Sequence, residues 1–384
     1  MGSPVIIFPF PENPSGYLWP PMDIRSASRL ALLASIGPLF FGCSTDLDVT
    51  APYKEITVVY SLLNKNDAIH WVKINKAFLG DGDAFVYAQV ADSTEYKDGE
   101  LVDARIERVN SAGTVIATME LHDTILTERP AGLFTWPVHK MYYFRGDLPD
   151  GHLAYEDNYR VVANAKGNQI QATTPIVNNV IHYSTTGNPA TLISFKQVSG
   201  YQNYPIKWET TANGRRYEAY YRFHYDEVML DGTVYTKSFD NFVGTVISAS
   251  APGQVDEVSM NGELFFQTVN SRVRLADESQ VQRRVFRGME FFWWVAAADL
   301  HTYLQLANPI SGIVEERPDF SNISGGYGLL SSRMFHIVPT QAQGNPPNIS
   351  LRKRLNEATS TELEEGQYTG TLHFCVPADL NGDC

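Results

Sequence analysis

The chain has 384 residues, with 43 acidic against 30 basic side chains and a net charge of −13. That balance excludes a nucleic-acid binder built on clustered Lys and Arg, and it offers no polybasic stretch for an anionic lipid surface. The length suits about two domains, each with its own core.

The first element is a targeting signal. Residues 1–21 hold Pro4, Pro9, Pro11, Pro14, Pro20 and Pro21 and no Lys or Arg, so the expected start of translation is Met22. From there Arg25 and Arg29 precede an apolar run from 30 to 41, closed by Gly42-Cys43. A basic start, a run of roughly 12 apolar residues and a small residue before cysteine read as a lipoprotein signal peptide. A membrane-spanning helix would need about 20 apolar residues. Cleavage would leave Cys43 as the lipid-bearing N-terminus, and stable anchoring takes more than one acyl chain. Plain secretion or a retained anchor is the alternative, because Phe40 and Phe41 stand where smaller residues are commoner. Residues 43–54 form a tether. Its Asp46 and Asp48 resemble surface-export signals but leave the periplasmic and surface-exposed locations both open.

Beyond the tether, alternation of apolar and polar residues dominates. Residues 56–63 and 69–77 read as strands around the polar turn Asn64-Lys65-Asn66-Asp67. The second strand puts His70, Val72, Ile74 and Lys76 on one face. Hairpins are expected at 104–110 with 114–121 and at 159–165 with 169–174. Residues 55–177 therefore read as an immunoglobulin- or fibronectin-like β-sandwich, with Tyr155 or Tyr159 as its tyrosine corner.

Residues 180–375 read as a β-rich α+β domain, so the whole chain is mainly β. Tyr217, Ala219, Tyr221, Phe223 and Tyr225 alternate with polar neighbours, and Asp231-Gly232 marks a hairpin. One or two short helices interrupt the sheet. One covers 263–273 after Asn261-Gly262; the other carries Leu300, Tyr303, Leu304 and Ala307, with Asp299 as N-cap and Asn308-Pro309 as its stop. Phe291-Phe292-Trp293-Trp294 reads as a strand buried on both faces. The alternative assigns Phe291 and Trp293 to a stacking platform for sugar rings or peptide side chains. In the 376–384 tail, Cys384 pairs most simply with Cys375 in one disulfide, free or intermolecular thiols being the alternative. Asp379, Asn381 and Asp383 look like the opening of a calcium loop. The late bidentate ligand is missing from the sequence, so a polar turn is expected, with no metal and no cofactor.

The segment Ser321-Asn322-Ile323-Ser324-Gly325-Gly326-Tyr327-Gly328-Leu329-Leu330, with the early strand VVYSLLN, resembles a motif in a large family of Bacteroidetes lipoproteins classed as a domain of unknown function. The resemblance would span most of 43–384. It implies an outer-membrane lipoprotein acting beside TonB-dependent transporters, and it carries no catalytic residues. The glycines permit positive φ and close backbone approach. Gly325 and Gly326 thus belong either to a packed turn or to a ligand-facing loop; no Lys-Ser/Thr follows, so this is no phosphate loop.

No Gly-x-Ser-x-Gly and no His-Glu-x-x-His is present. His224-Tyr225-Asp226-Glu227 is the densest titratable cluster, and His224 shares a strand face with Asp226. That pair reads as an acid/base or metal pair, or as a solvated face. The expectation is a lipid-anchored, non-catalytic binding or accessory protein of the outer membrane. A structural or adhesive surface protein is one alternative. Another is a glycan hydrolase with two carboxylates about 5–10 Å apart in a cleft.

Overall fold

The computed structural model describes residues 55–77, 83–249, 251–307, 319–340 and 347–384. Cys43, the 1–42 leader, the 43–54 tether and the helix stop at Asn308-Pro309 lie outside them.

The first half is built from β1 (Ile56–Leu63), β2 (His70–Ala77), β3 (Leu101–Val109), β4 (Val115–Glu120), β5 (His122–Leu126), β6 (His139–Phe144), β7 (Asn158–Ala165) and β8 (Asn168–Pro175). Two short helices, α1 (Ala84–Ala88) and α2 (Ala91–Thr94), follow β2. Strands run in the order β1-β2-β6-β5 on one side and β4-β3-β7-β8 on the other. This is the immunoglobulin arrangement, A-B-E-D against G-F-C with one strand added. Burial follows the expected alternation in β2: His70, Val72, Ile74 and Lys76 point inward. Val59, Val72 and Phe144 from one sheet meet Ile106, Val161 and Ile170 from the other. Tyr159 is the tyrosine corner. Its buried hydroxyl accepts from the Ala154 N–H at 3.0 Å and donates to Asp147 Oδ1 at 2.9 Å. Tyr155 instead lies under the Lys65 ammonium, 4.7 Å from its ring centre.

The second half contributes β9 (Ile181–His182), β10 (Lys196–Gln197), β11 (Gly200–Tyr201), β12 (Tyr204–Glu209), β13 (Arg216–Met229), β14 (Val234–Ile247), β15 (Val255–Met260), β16 (Val281–Ala296), β17 (Tyr327–Val338) and β18 (Phe374–Cys375). Its helices are α3 (Ser184–Gly187), α4 (Gly262–Val273), α5 (Ala298–Ala307) and α6 (Glu357–Glu365). Asn261 caps α4 by accepting from the Leu264 N–H, and the helix buries Phe265, Phe266, Val269 and Val273. Asp299 sits inside the first turn of α5 rather than before it. The sequence reading missed α6, whose apolar face is little more than Leu363; Asn356 caps it. At the β13–β14 hairpin, Gly232 takes the left-handed conformation at φ +86°. Asp231 accepts from the Thr233 N–H at 2.8 Å.

One strand joins the halves. β17 pairs antiparallel with β16 and parallel with β1, placing Val59 beside Gly328. The large sheet thus runs β14-β13-β16-β17-β1-β2-β6-β5, across the border expected near 178. There are nonetheless two main cores. Leu330 of β17 enters the sandwich core, while Met334 and Val338 of the same strand enter the second.

Candidate functional site

The SNISGGYGLL segment is the joint between the halves. Asn322 accepts from the Leu330 N–H at 3.0 Å, and its amide donates to the Leu330 carbonyl at 2.7 Å and to Asp299 Oδ2 at 2.8 Å. Ser324 exchanges backbone hydrogen bonds with Gln171 of β8. Gly325, at φ +73°, and Gly326 press against the backbone of Gln169 and Thr57. The protein's own strands occupy the space that a ligand-facing loop would need. These two glycines therefore form a packed turn and not a binding surface.

The stacking-platform expectation fails at Phe291 and Trp293. Both are 0% exposed within the second core, because β16 is covered on both faces. The C-terminal residues form a clamp. Cys375 and Cys384 are joined by a disulfide, with Cα atoms 6.2 Å apart. Asp383 pairs with Arg283 at 2.6 Å, and Asp379 accepts from the Asn381 N–H at 3.1 Å. Arg287 donates to the carbonyls of Leu380 and Gly382. Among the described residues, no three His, Cys, Asp or Glu side chains gather in a metal-binding group, and Asp379, Asn381 and Asp383 make this polar turn.

His224 pairs with Glu290 at 2.8 Å, not with Asp226, which binds Arg287 at 2.6 Å. Burial lowers the His224 pKa while the Glu290 hydrogen bond pulls it back up. The pair is enclosed in the sheet with Arg352 at 3.6 Å from Glu290, so it fits an internal polar lock.

A second histidine pair escaped the sequence reading. In the three-stranded sheet β15-β12-β9, Trp208 lies opposite His182; in the large sheet, Trp293 lies opposite His336. Trp208 meets Trp293 edge-on at 5.8 Å, and His182 Nδ1 faces His336 Nε2 at 3.4 Å. Four rings thus link two sheets. Burial pushes the His336 pKa down to about 4, with His182 adding to the shift. No local pattern could have paired residues 154 positions apart.

A concavity lies elsewhere, on the sandwich. β4 ends one sheet and β5 ends the other, and Leu121 alone connects them. Between these edges opens a groove of about 560 Å³. Its walls carry four carboxylates, among them Asp98, Glu120 and Asp123, and three cations, Lys97, Arg105 and Lys140. Lys140 is the centre: its ammonium reaches Asp98 at 3.1 Å and Asp123 at 3.2 Å. Burial works against that charge, yet the two carboxylates outweigh it and hold the Lys140 pKa above the usual lysine value. Burial raises the pKa of the neighbouring Tyr142 phenol. None of the ligand residues expected from sequence lines this groove.

No protein-family model and no curated protein matches the chain. Among solved structures, the C-terminal globular domain of an oligosaccharyltransferase from Pyrococcus abyssi is similar over 62% of this chain, at 10% identity and a TM-score of 0.23. The match spans 45% of that domain's own length. Among the described residues, no helix is long and apolar enough to cross a membrane.

Proposed function

We propose that this chain is a lipid-anchored, non-catalytic binding protein of the bacterial outer membrane, accessory to a transporter. The groove between β4 and β5 is its recognition surface, and a neutral hydroxyl-rich ligand such as an oligosaccharide is its ligand class. The anchor rests on the run from 30 to 41 that ends in Gly42-Cys43. The ligand class rests on one observation, the mixed charge of the groove. Hydroxyls both donate and accept, so interleaved carboxylates and cations suit them, whereas a strongly charged ligand would meet its own sign on either wall. The wall residues sit largely on paired strands, which hold them in place before a ligand arrives.

Calorimetric titration of the purified protein against neutral oligosaccharides, with short peptides as controls, tests the reading. Lys140→Ala and Asp123→Ala are each expected to weaken saccharide binding about tenfold, the loss of one charged hydrogen-bonding partner. Binding that survives both changes would refute the groove, as would a panel with no saccharide bound. Asp98 and Asp123 flank one ammonium in a cleft, so the same samples are assayed for released reducing ends. Release would move the reading to a glycoside hydrolase. Mass spectrometry of Cys43 tests the anchor separately.

A further inference from the structure

One end of the sandwich carries more exposed apolar surface than a solvated loop cluster requires. Phe85 and Val86 of α1 are 63% and 61% exposed. Leu133, Phe134, Trp136 and Val138, in the 127–138 connection between β5 and β6, are 45–55% exposed. The two segments abut. The Thr135 N–H donates to the Ala88 carbonyl at 3.1 Å, and Arg129 stacks over Phe134 at 5.1 Å. Topology fixes which end this is. Ile56, the first residue of β1, pairs with Ala77, the last of β2, and α1 follows β2. β6 runs antiparallel to β2, with His70 opposite Phe144, so its start and the connection before it lie at the end of β2. The apolar tip therefore flanks the point where β1 begins.

We infer that this tip is a second membrane contact, inserting Phe85, Phe134 and Trp136 into the interfacial layer of the bilayer that holds the anchor. The inference rests on the lipidation of Cys43. From Cys43 to Ile56 the chain spans 13 steps, at most about 45 Å when fully extended. That lead joins the folded unit at the start of β1, beside the apolar tip, which puts the tip within the lead's reach of the lipid. Exposed Trp and Phe prefer the depth of the headgroups, and a patch of this kind marks a binding surface. The contact needs no positive charge, which accords with the acidic chain. It would supply a further signal beside the acyl chains.

The test uses the acylated protein in phosphatidylcholine vesicles whose acyl chains carry bromine, with tryptophan emission as the readout. Trp136→Ser is expected to cut bromolipid quenching by about twofold or more. Trp71→Ser is the internal control. Trp71 is 41% exposed but lies near the opposite end of β2, so quenching should stay unchanged. Phe85→Ser with Phe134→Ser keeps Trp136 and should also reduce its quenching. With Cys43 acylated, quenching that is indifferent to Trp136→Ser, or equally sensitive to Trp71→Ser, overturns the inference alone. So does a dimer in which Trp136 is shielded from bromine. An unmodified Cys43 overturns the anchor and this inference together.

Discussion

Replacing Gly328 with alanine should open the seam between β1 and β17. Gly328 sits at φ +122°, where a side chain is strained. An added Cβ would also lie 2.9 Å from the Val59 carbonyl carbon, 3.1 Å from its nitrogen and nearer still to its oxygen. These are ladder atoms of β1 and cannot swing aside. Gly200 has the same φ, +122°, with nothing within 4 Å of its would-be Cβ. Gly200→Ala therefore isolates the backbone term, about 1–3 kcal/mol. Gly328→Ala adds a clash of about 1–3 kcal/mol. The expected gap between the variants is about 2 kcal/mol. Each kcal/mol shifts Tm by roughly 1.5 °C in a unit the size of Thr50–Cys384, given about 2.1 cal/mol/K per residue of unfolding entropy. Urea unfolding followed by circular dichroism, with a thermal scan beside it, measures the gap. Equal losses from the two substitutions would refute the claim that β1 and β17 need a glycine to meet.

Two further outcomes follow from buried charge. Arg284 is fully buried, holding Glu227 at 2.9 Å, Glu278 at 2.7 Å and the Leu372 carbonyl at 2.7 Å. Arg284→Met leaves the buried Glu227 with Lys237 alone and should cost about 3–5 kcal/mol in urea melts. Adding Glu227→Leu should recover about half, and a double variant no better than the single one would contradict the coupling. His70 donates from Nε2 to the Gly151 carbonyl at 3.2 Å, and its buried Nδ1 has no partner. Burial, opposed by that hydrogen bond, lowers its pKa to about 4. The unfolded chain then takes up a proton below about pH 6.5 that the folded protein refuses until about pH 4, so stability falls with pH across that window. His70→Gln should flatten the fall by about one proton. Parallel stability curves for the two proteins would count against this account.

Strands β1, β2, β7, β8 and β13 were legible because alternation reports which face of a strand is buried, and Tyr217 to Phe223 obey it residue by residue, His224 being the first to break it because it is buried against Glu290. The Asn261 cap and Gly232 turn were local too, since each is satisfied within a few bonds of chain. Tyr159 was named with Tyr155 from its place at the head of a late strand. Only the Ala154 and Asp147 partners chose between them. The run 291–294 announced burial but not the position of the covering layers, so a platform and a core strand looked alike in sequence. The groove draws on α2's flank, β3, β4, β5 and β6, and the apolar tip on α1 and the 127–138 connection. Neither exists until the sandwich closes. The parallel pairing of β1 with β17 spans about 270 residues, and SNISGGYGLL gains its meaning from it. Local pattern determined the β-rich class and the hairpins, because burial and turn chemistry act over a few residues. Which sheet edges stay open, which rings meet across sheets and where the glycines must yield space were decided by tertiary packing, because those are contacts between segments whose separation leaves no periodic trace.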